Sequence, residues 1–201
     1  MKKLFCILTA LTLALACAPA FAETPEEAWA KLPEEIRIQY SDIVAEWVDG
    51  MYLFDEEEAA IDADVLGPDE IEDLKMDLMF AHDCGSFGYT VADLNGDGKA
   101  DLVIASGKLI LGVWTYGEME NADGSTELAA YPALRATDTI RFYYAGNGKF
   151  ADVTCIDGEP VYETAYFWDD GNEFADLGDE NRIDPADYVQ LELTPVYPVQ
   201  E

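Results

Sequence analysis

From residue 85 to residue 193, short apolar runs alternate with polar residues and are separated by turn dipeptides. A period of two is typical of strands with one buried face, so this pattern constrains the fold more than any other feature of the chain. Asn147-Gly148 is a strong hairpin signal within it. The pattern predicts a mostly antiparallel sheet, connected as a meander, with strands at residues 87–92, 101–105, 109–116, 139–144, 149–155, 161–168 and 188–193.

Residues 118–136 interrupt this pattern. They are polar at first and then contain Tyr131-Pro132. We expect a surface loop here, because long connections without a hydrophobic period lie on the outside of a domain.

Residues 23–84 have a helical pattern instead. Thr24 and Glu27 have the spacing of a capping box, which predicts that a short helix begins there. From residue 34 to residue 48 apolar side chains recur every three or four positions, and Gly50 follows as the predicted end of this second helix.

A third helix is predicted after Pro68, where apolar residues again recur at helical spacing. Together the two patterns predict an α+β fold in which N-terminal helices pack on a mostly antiparallel sheet. We assign residues 23–84 to a helical segment and residues 85–201 to a β-rich segment, and we expect residues 23–201 to form one compact domain.

Residues 1–22 predict a secretory signal peptide. Lys2 and Lys3 precede an apolar run, and Ala20 and Ala22 place small side chains at the two positions that a signal peptidase reads. Export would bring the chain to the periplasm or to the outside of the cell, and the alternative is lipid attachment at Cys17. No later apolar run is long enough to span a bilayer, so we expect no transmembrane segment.

The chain carries 42 acidic and 11 basic side chains, which give a formal charge of −31. A surface this negative repels nucleic acid and anionic membranes, so both are excluded as expected partners. Cations, basic proteins and neutral ligands such as carbohydrates remain. Half of the residues are hydrophobic, which is enough to build a sizeable core.

Cys84 and Cys155 remain once a signal peptide is removed. An exported chain allows them to form a disulfide, and the alternative is two separate buried thiols. His82 is the only histidine and lacks neighbouring ligands, so we do not expect it to bind metal or to act as a base.

Residues 93–101 have oxygen-bearing side chains at alternating positions. Ca²⁺ binds six to eight oxygens, and Gly98 permits the tight turn that would bring later residues back to the same point. The predicted ligands are the side chains of Asp93, Asn95, Asp97 and Asp101 and the backbone carbonyl of Lys99.

An EF-hand would need a glutamate at the twelfth position of this loop, which is Ile104. The flanking residues have strand character, so we predict a strand–loop–strand site in which Asp101 replaces the missing glutamate. The alternative is an ordinary hairpin turn without metal, although such a turn does not require acidic residues in this register.

The string from Asp93 to Ile104 resembles the calcium loop of FG-GAP and VCBS-type repeats, which joins two strands of a sheet. Residues 36–177 also resemble small exported bacterial proteins of a clostridial kind, in which a helical start leads into a core containing this loop and then into Tyr-rich strands. These resemblances imply Ca²⁺ binding and no further activity.

We do not expect an enzyme. The chain has a single histidine and no nucleophile or phosphate-binding motif, so we name no catalytic residue. The alternative is a secreted acidic hydrolase of the glycosidase type, with paired carboxylates drawn from Glu163, Asp169, Asp170 and Glu173.

The function that the sequence favours is an exported calcium-binding protein, with a structural Ca²⁺ site, that serves as a binding or interaction module. Two points stay open. The first concerns aromatic residues of the predicted strands, which either fill the core or form a platform that binds a protein or a carbohydrate. These residues are Trp114, Tyr116, Tyr143, Tyr166 and Trp168. The acidic cluster at residues 169–187 either binds a second ion or is a solvated face.

Overall fold

The computed structural model describes residues 24–55, 84 and 86–197, apart from 138, 157, 158, 170, 172, 179 and 180. The predicted signal peptide, the predicted third helix and His82 lie outside the described residues. The two helices are α1 (Pro25–Lys31) and α2 (Glu34–Asp55). The strands are β1 (Phe87–Ala92), β2 (Asp101–Ser106), β3 (Leu109–Glu120), β4 (Thr126–Arg135), β5 (Ile140–Gly146), β6 (Lys149–Ile156), β7 (Glu159–Trp168), β8 (Phe174–Asp176) and β9 (Thr194–Tyr197).

The strands form one antiparallel sheet in the order β8-β7-β6-β5-β3-β2-β1-β9. Strand β3 pairs with three other strands. On one edge, β4 pairs with its C-terminal part and β5 with its first residues, while β2 pairs along the other edge. The antiparallel sheet is therefore as predicted. The meander is only partial, because β3 pairs with β5 and the last strand, β9, returns to pair with β1.

The predicted α+β class is wrong. Of the described residues, 49% lie in strands and 22% in helices, and the fold is an open, mostly antiparallel sheet. The physical reason is that strand pairing extends through residues expected to form a loop, so the sheet dominates the core. The helices supply only part of one core cluster, through side chains such as Ile36, Tyr40 and Met51.

Residues 118–136 form strands rather than the expected surface loop. The end of β3 pairs with β4 from Gly112–Arg135 to Glu120–Thr126, and the Asp123 side chain accepts hydrogen bonds in the turn between the strands. This hairpin is polar and largely exposed toward its tip. The apolar residues of β4, including Leu128, Ala130 and Leu134, are only partly buried and follow no period of two, so the sequence pattern did not indicate a strand.

The outer edge of β4 is covered by one side chain of α2. The Gln39 amide nitrogen donates to the carbonyl oxygen of Leu128 at 3.2 Å, and its oxygen accepts from the N–H of Ala130 at 2.7 Å. These are the bonds that a neighbouring strand would make. Further along the same edge, Pro132 has no N–H to leave unpaired, so this part of β4 offers few groups for pairing with another chain.

Helix α2 continues through Gly50 to Asp55, so the predicted end of this helix is wrong. Gly50 and Met51 are buried. A glycine inside a helix costs about 1 kcal/mol relative to alanine, and packing of Met51 against the core offsets that cost.

The segment after β8 crosses the sheet without joining it, so the predicted strand at 188–193 is wrong. The ring of Tyr188 stacks on Tyr143 with centroids 4.6 Å apart, and the N–H of Val189 donates to the carbonyl of Tyr144 at 2.8 Å. Side-chain packing holds this extended segment, and a hydrogen-bonded ladder begins only at β9.

Both faces of the central strands are buried. One face packs against the helices and includes Trp114, while the other lines a second cluster with Phe150 and Trp168. Trp114 and Trp168 are therefore core residues and cannot belong to an exposed platform. Cys84 and Cys155 are not joined by the disulfide that the sequence also allowed.

The sheet curls around the second cluster. Although β2, β3 and β5 lie between β1 and β6, the carbonyl of Leu94, just after β1, accepts from the N–H of Gly148 at 2.8 Å. The N–H of Trp168 in turn donates to the carbonyl of Gly148 at 2.7 Å. The curl thus brings the β1–β2 loop against the predicted Asn147-Gly148 turn and the end of β7.

Replacing Gln39 tests the protection of the β4 edge. We expect Gln39→Ala to lower the free energy of unfolding by about 1–2 kcal/mol, because two hydrogen bonds are lost and the β4 groups are left partly buried. Urea unfolding followed by circular dichroism measures the change. Glu46→Gln, at an exposed position of the same helix, should unfold like the wild type. Equal stability of Gln39→Ala and wild type would contradict this role.

Candidate functional site

The candidate site is the loop between β1 and β2, which its own side chains organise. The two carboxylate oxygens of Asp93 accept from the N–H groups of Gly96 at 2.7 Å and Gly98 at 3.0 Å. Asp97 accepts from the N–H of Lys99 at 2.8 Å. Gly96 and Gly98 have φ angles of 83° and 81°, which side-chain-bearing residues rarely adopt. The predicted tight turn at Gly98 is therefore present.

Asn95 connects this loop to the far side of the sheet. Its side-chain oxygen accepts from the N–H of Asp97 at 3.2 Å, and its amide nitrogen donates to the carbonyl of Asp169 at 2.9 Å. The side chain is only 8% exposed. The contact between Asn95 and Asp169 could not be predicted, because nothing in the sequence indicates that the end of β7 reaches this loop.

Asp101 begins β2 and is fully buried. One carboxylate oxygen, Oδ2, accepts from the N–H of Leu94 at 3.1 Å, whereas Oδ1 makes no hydrogen bond to the described residues. The Oδ2 atom of Asp97 is likewise buried without a hydrogen bond there. The loop therefore holds two carboxylate oxygens away from water. The Thr115 hydroxyl is close enough to Asp101 to lower its pKa, and the Lys99 ammonium lies 3.7 Å from Oδ2 of Asp97, but neither oxygen accepts a hydrogen bond within the described part of the chain.

Burial raises the pKa of Asp101 to about 7, because the charged form loses its hydration. The N–H of Leu94 and the hydroxyl of Thr115 lower this pKa, while the charges of Asp97 and Asp93 raise it. The three predicted carboxylates are thus close enough to repel one another.

Lys99 partly offsets this negative charge. Its ammonium nitrogen lies 3.7 Å from Oδ2 of Asp97 and donates to the carbonyl of Tyr116 at 3.3 Å. It also lies 5.7 Å from the centre of the Tyr116 ring. The side chain of Lys99 therefore has a role that is separate from the ligand role predicted for its backbone carbonyl.

The structure brings Asp93, Asp97 and Asp101 into one loop, but it does not arrange them as a formed metal centre. Among the described residues, no group of three or more His, Cys, Asp or Glu side chains is placed to hold a metal ion. The predicted set of calcium ligands therefore stays a prediction.

The carboxylates suggested for a hydrolase do not all lie together. Glu163 lies within β7 and approaches the Tyr188 hydroxyl at 3.4 Å, whereas Asp169 lies past the end of that strand. Six residues of strand span about 20 Å, which exceeds the separation of a glycosidase pair. Asp169 accepts from the N–H groups of Gly171 and Glu173, so it shapes a turn. Asp170 lies outside the described residues.

In the acidic cluster at 169–187, carboxylates accept hydrogen bonds from backbone N–H groups. Asp176 accepts from the N–H of Gly178, and Asp184 accepts from the N–H of Ala186 at the start of a short 3₁₀ turn, Pro185–Asp187. These contacts explain part of the acidic composition, and the suggested second ion site stays a prediction.

Residues 90–108 match the FG-GAP repeat, in agreement with that part of the predicted resemblance. The match spans the end of β1, the loop and β2. FG-GAP repeats are typical of extracellular or cell-surface proteins and of non-catalytic binding modules. No curated protein and no solved structure matches the chain. Neither α1 nor α2, the helices of the described chain, combines the length and hydropathy needed to cross a membrane.

The buried carboxyl of Asp101 predicts a pH-dependent stability. Its native pKa of about 7 lies above the ordinary value of 3.8, so between these pH values the native state binds more protons than the unfolded state. In calcium-free buffer, the stability contributed by protonated Asp101 is present at about pH 4 and is lost as the pH rises through 7. The loss is on the order of a few kcal/mol.

Urea unfolding with EGTA at pH 5 and pH 8 measures this loss. Asp101→Asn is neutral at both pH values, so its stability should fall less between them than that of the wild type. Asp123→Asn removes a carboxylate from an exposed turn and should retain the wild-type difference. The same pH dependence in Asp101→Asn and wild type would contradict the assignment.

Proposed function

We propose that this chain is an exported, non-catalytic binding module whose β1–β2 loop is stabilised by Ca²⁺. The observation that carries the proposal is the pair of buried carboxylate oxygens, Oδ2 of Asp97 and Oδ1 of Asp101, that make no hydrogen bond to the described residues. Burying a carboxylate oxygen is costly unless a donor or a cation compensates it. The Lys99 ammonium, 3.7 Å from Oδ2 of Asp97, compensates only part of this charge, and a divalent cation at the loop would compensate both oxygens together.

The chemistry of the loop fits a hard cation. The proposed donors are carboxylate, amide and carbonyl oxygens, the ligands that Ca²⁺ prefers: Asp93, Asn95, Asp97, the Lys99 carbonyl and Asp101. The hydrogen bonds that Asp93 accepts from loop N–H groups leave lone pairs free, because each carboxylate oxygen has two. When bound, Ca²⁺ would supply positive charge that the three carboxylates share.

The loop is also placed where a cation would affect the whole sheet. Leu94 donates its N–H to Asp101, and its carbonyl accepts from Gly148 and from the Tyr144 hydroxyl. Reduced repulsion between the carboxylates would therefore stabilise the contact that closes the curl. This supports a structural rather than a catalytic role for the ion.

Export is part of the proposal. It would be directed by the signal peptide predicted for residues 1–22, with lipid attachment at Cys17 as the alternative. The extracellular character of FG-GAP repeats supports this location. Extracellular fluid and the periplasm expose a protein to more Ca²⁺ than cytosol does, so modest affinity would suffice for a structural site.

Calcium titration of protein stripped with EGTA tests the site. We expect saturable binding of one Ca²⁺ by calorimetry and a higher melting temperature. At a free Ca²⁺ concentration of about 100 times Kd, linkage predicts about 2.7 kcal/mol of stabilisation. Asp97→Asn should weaken binding at least about tenfold, because it removes a charged ligand of a hard cation.

Matched variants separate the ligand roles from general charge effects. Lys99→Gln keeps the backbone carbonyl and should retain Ca²⁺ binding, and Asp123→Asn should bind like the wild type. Mg²⁺ should raise the melting temperature less, because it requires a tighter octahedral geometry. Absence of binding heat together with an unchanged melting temperature would refute the calcium site.

A further inference from the structure

A small cavity lies between α1 and the start of the sheet, outside the β1–β2 loop. It has a volume of about 330 Å³, at the lower end of the range for small-molecule sites. Trp29 and Glu26 of α1 line it on one side, and Tyr89 and Thr90 of β1 and Thr194 of β9 line it on the other. Helix and sheet therefore build it together.

Two aromatic rings form a corner of this cavity. The centroids of Trp29 and Tyr89 are 5.9 Å apart, and the ring planes meet at 58°. Both side chains are half-buried, so part of each ring stays accessible. Tilted rings enclose a compact group, whereas a flat sugar ring is better served by a coplanar platform.

The backbone around the rings is held in place before any ligand binds. The capping box of Thr24 and Glu27 fixes the first turn of α1. Strand β9 approaches β1 so closely at Gly88 that a Cβ atom there would lie 2.5 Å from the carbonyl oxygen of Thr194. Thr90, on the cavity floor, is almost fully buried.

The negative charge of the cavity lining favours a cationic ligand. Glu26 is the charged residue among the described residues that line it, and none of them is basic. The neighbouring Glu27 is already hydrogen-bonded to the N–H of Thr24 at 3.2 Å, whereas Glu26 is exposed. The whole chain adds a formal charge of −31, which attracts cations and repels anions.

We propose that this cavity binds an organic cation, with an ammonium group seated against Trp29 and Tyr89 and with Glu26 as its counter-charge. Aromatic faces attract ammonium groups through their quadrupole, and an adjacent carboxylate adds to that attraction. The site goes beyond the proposed calcium loop, since the two share no residue, and it gives the binding module a ligand class.

The test uses choline chloride as the probe and 3,3-dimethylbutan-1-ol, its neutral isostere, as the comparison. We expect choline to bind saturably in calorimetry and to shift the Trp29 indole resonance in NMR spectra at constant ionic strength. The isostere should bind at least about fivefold more weakly, since a cation–π contact contributes about 1 kcal/mol or more. Choline binding should persist in EGTA, which separates this site from the calcium loop.

Variants locate the binding. Trp29→Leu should weaken choline binding about tenfold, and Glu26→Gln, a change at an exposed position, about threefold. Tyr162→Leu, an exposed aromatic of β7, and Glu35→Gln, an exposed acid of α2, should bind as the wild type does. If Trp29→Leu fails to fold, Glu26→Gln and the Trp29 resonance of the wild type still decide the outcome.

Three results would overturn the proposal. One is equal binding of choline and its isostere, which would indicate apolar burial without recognition of charge. Another is binding of methyl β-glucoside at the Trp29 resonance without binding of choline, which would indicate a carbohydrate site. The last is the absence of saturable choline binding to wild-type protein.

Discussion

The junction at Leu94 is the constraint on which the rest of the structure depends. Its N–H donates to the buried carboxylate of Asp101, and its carbonyl accepts from both Gly148 and the Tyr144 hydroxyl. One residue thus connects the acidic loop to strands that lie well beyond it in the sheet. A flat sheet would leave Trp168 and its neighbours without a covering layer, so the curl and the second core cluster require each other.

The carboxylate of Asp101 lies next to the contact between Leu94 and Gly148, where the curl of the sheet closes. A carboxylate at position 101 is costly when buried, yet it supplies the acceptor for the N–H of Leu94. The loop therefore combines a structural contact with local electrostatic repulsion. A short acidic loop is therefore the point at which electrostatics act on a sheet whose other contacts are mainly apolar.

Much of the sheet could be predicted, because six of the strands are alternating or continuous runs of β-branched and aromatic residues bounded by turn signals. The hairpin at Asn147-Gly148 is the clearest example, and the capping box of Thr24 and Glu27 is another. Strand β4 could not be predicted, since its apolar residues do not alternate with polar ones and include a proline. They form a strand through pairing with β3 and the contact of Gln39. The acidic loop residues were predictable as a group, but the partners of Leu94 and Asn95 were not.

By itself the sequence determined the strand alternation, the turn chemistry and the acidic register of Asp93, Asp97 and Asp101, because these depend on residues close together in the chain. Only the tertiary structure decided that the sheet curls, that Asp101 is buried and that Trp29 meets Tyr89 at a cavity. These features depend on contacts between residues distant in sequence. The local sequence pattern does not predict such contacts, because they form only when side chains from many elements pack together in the core.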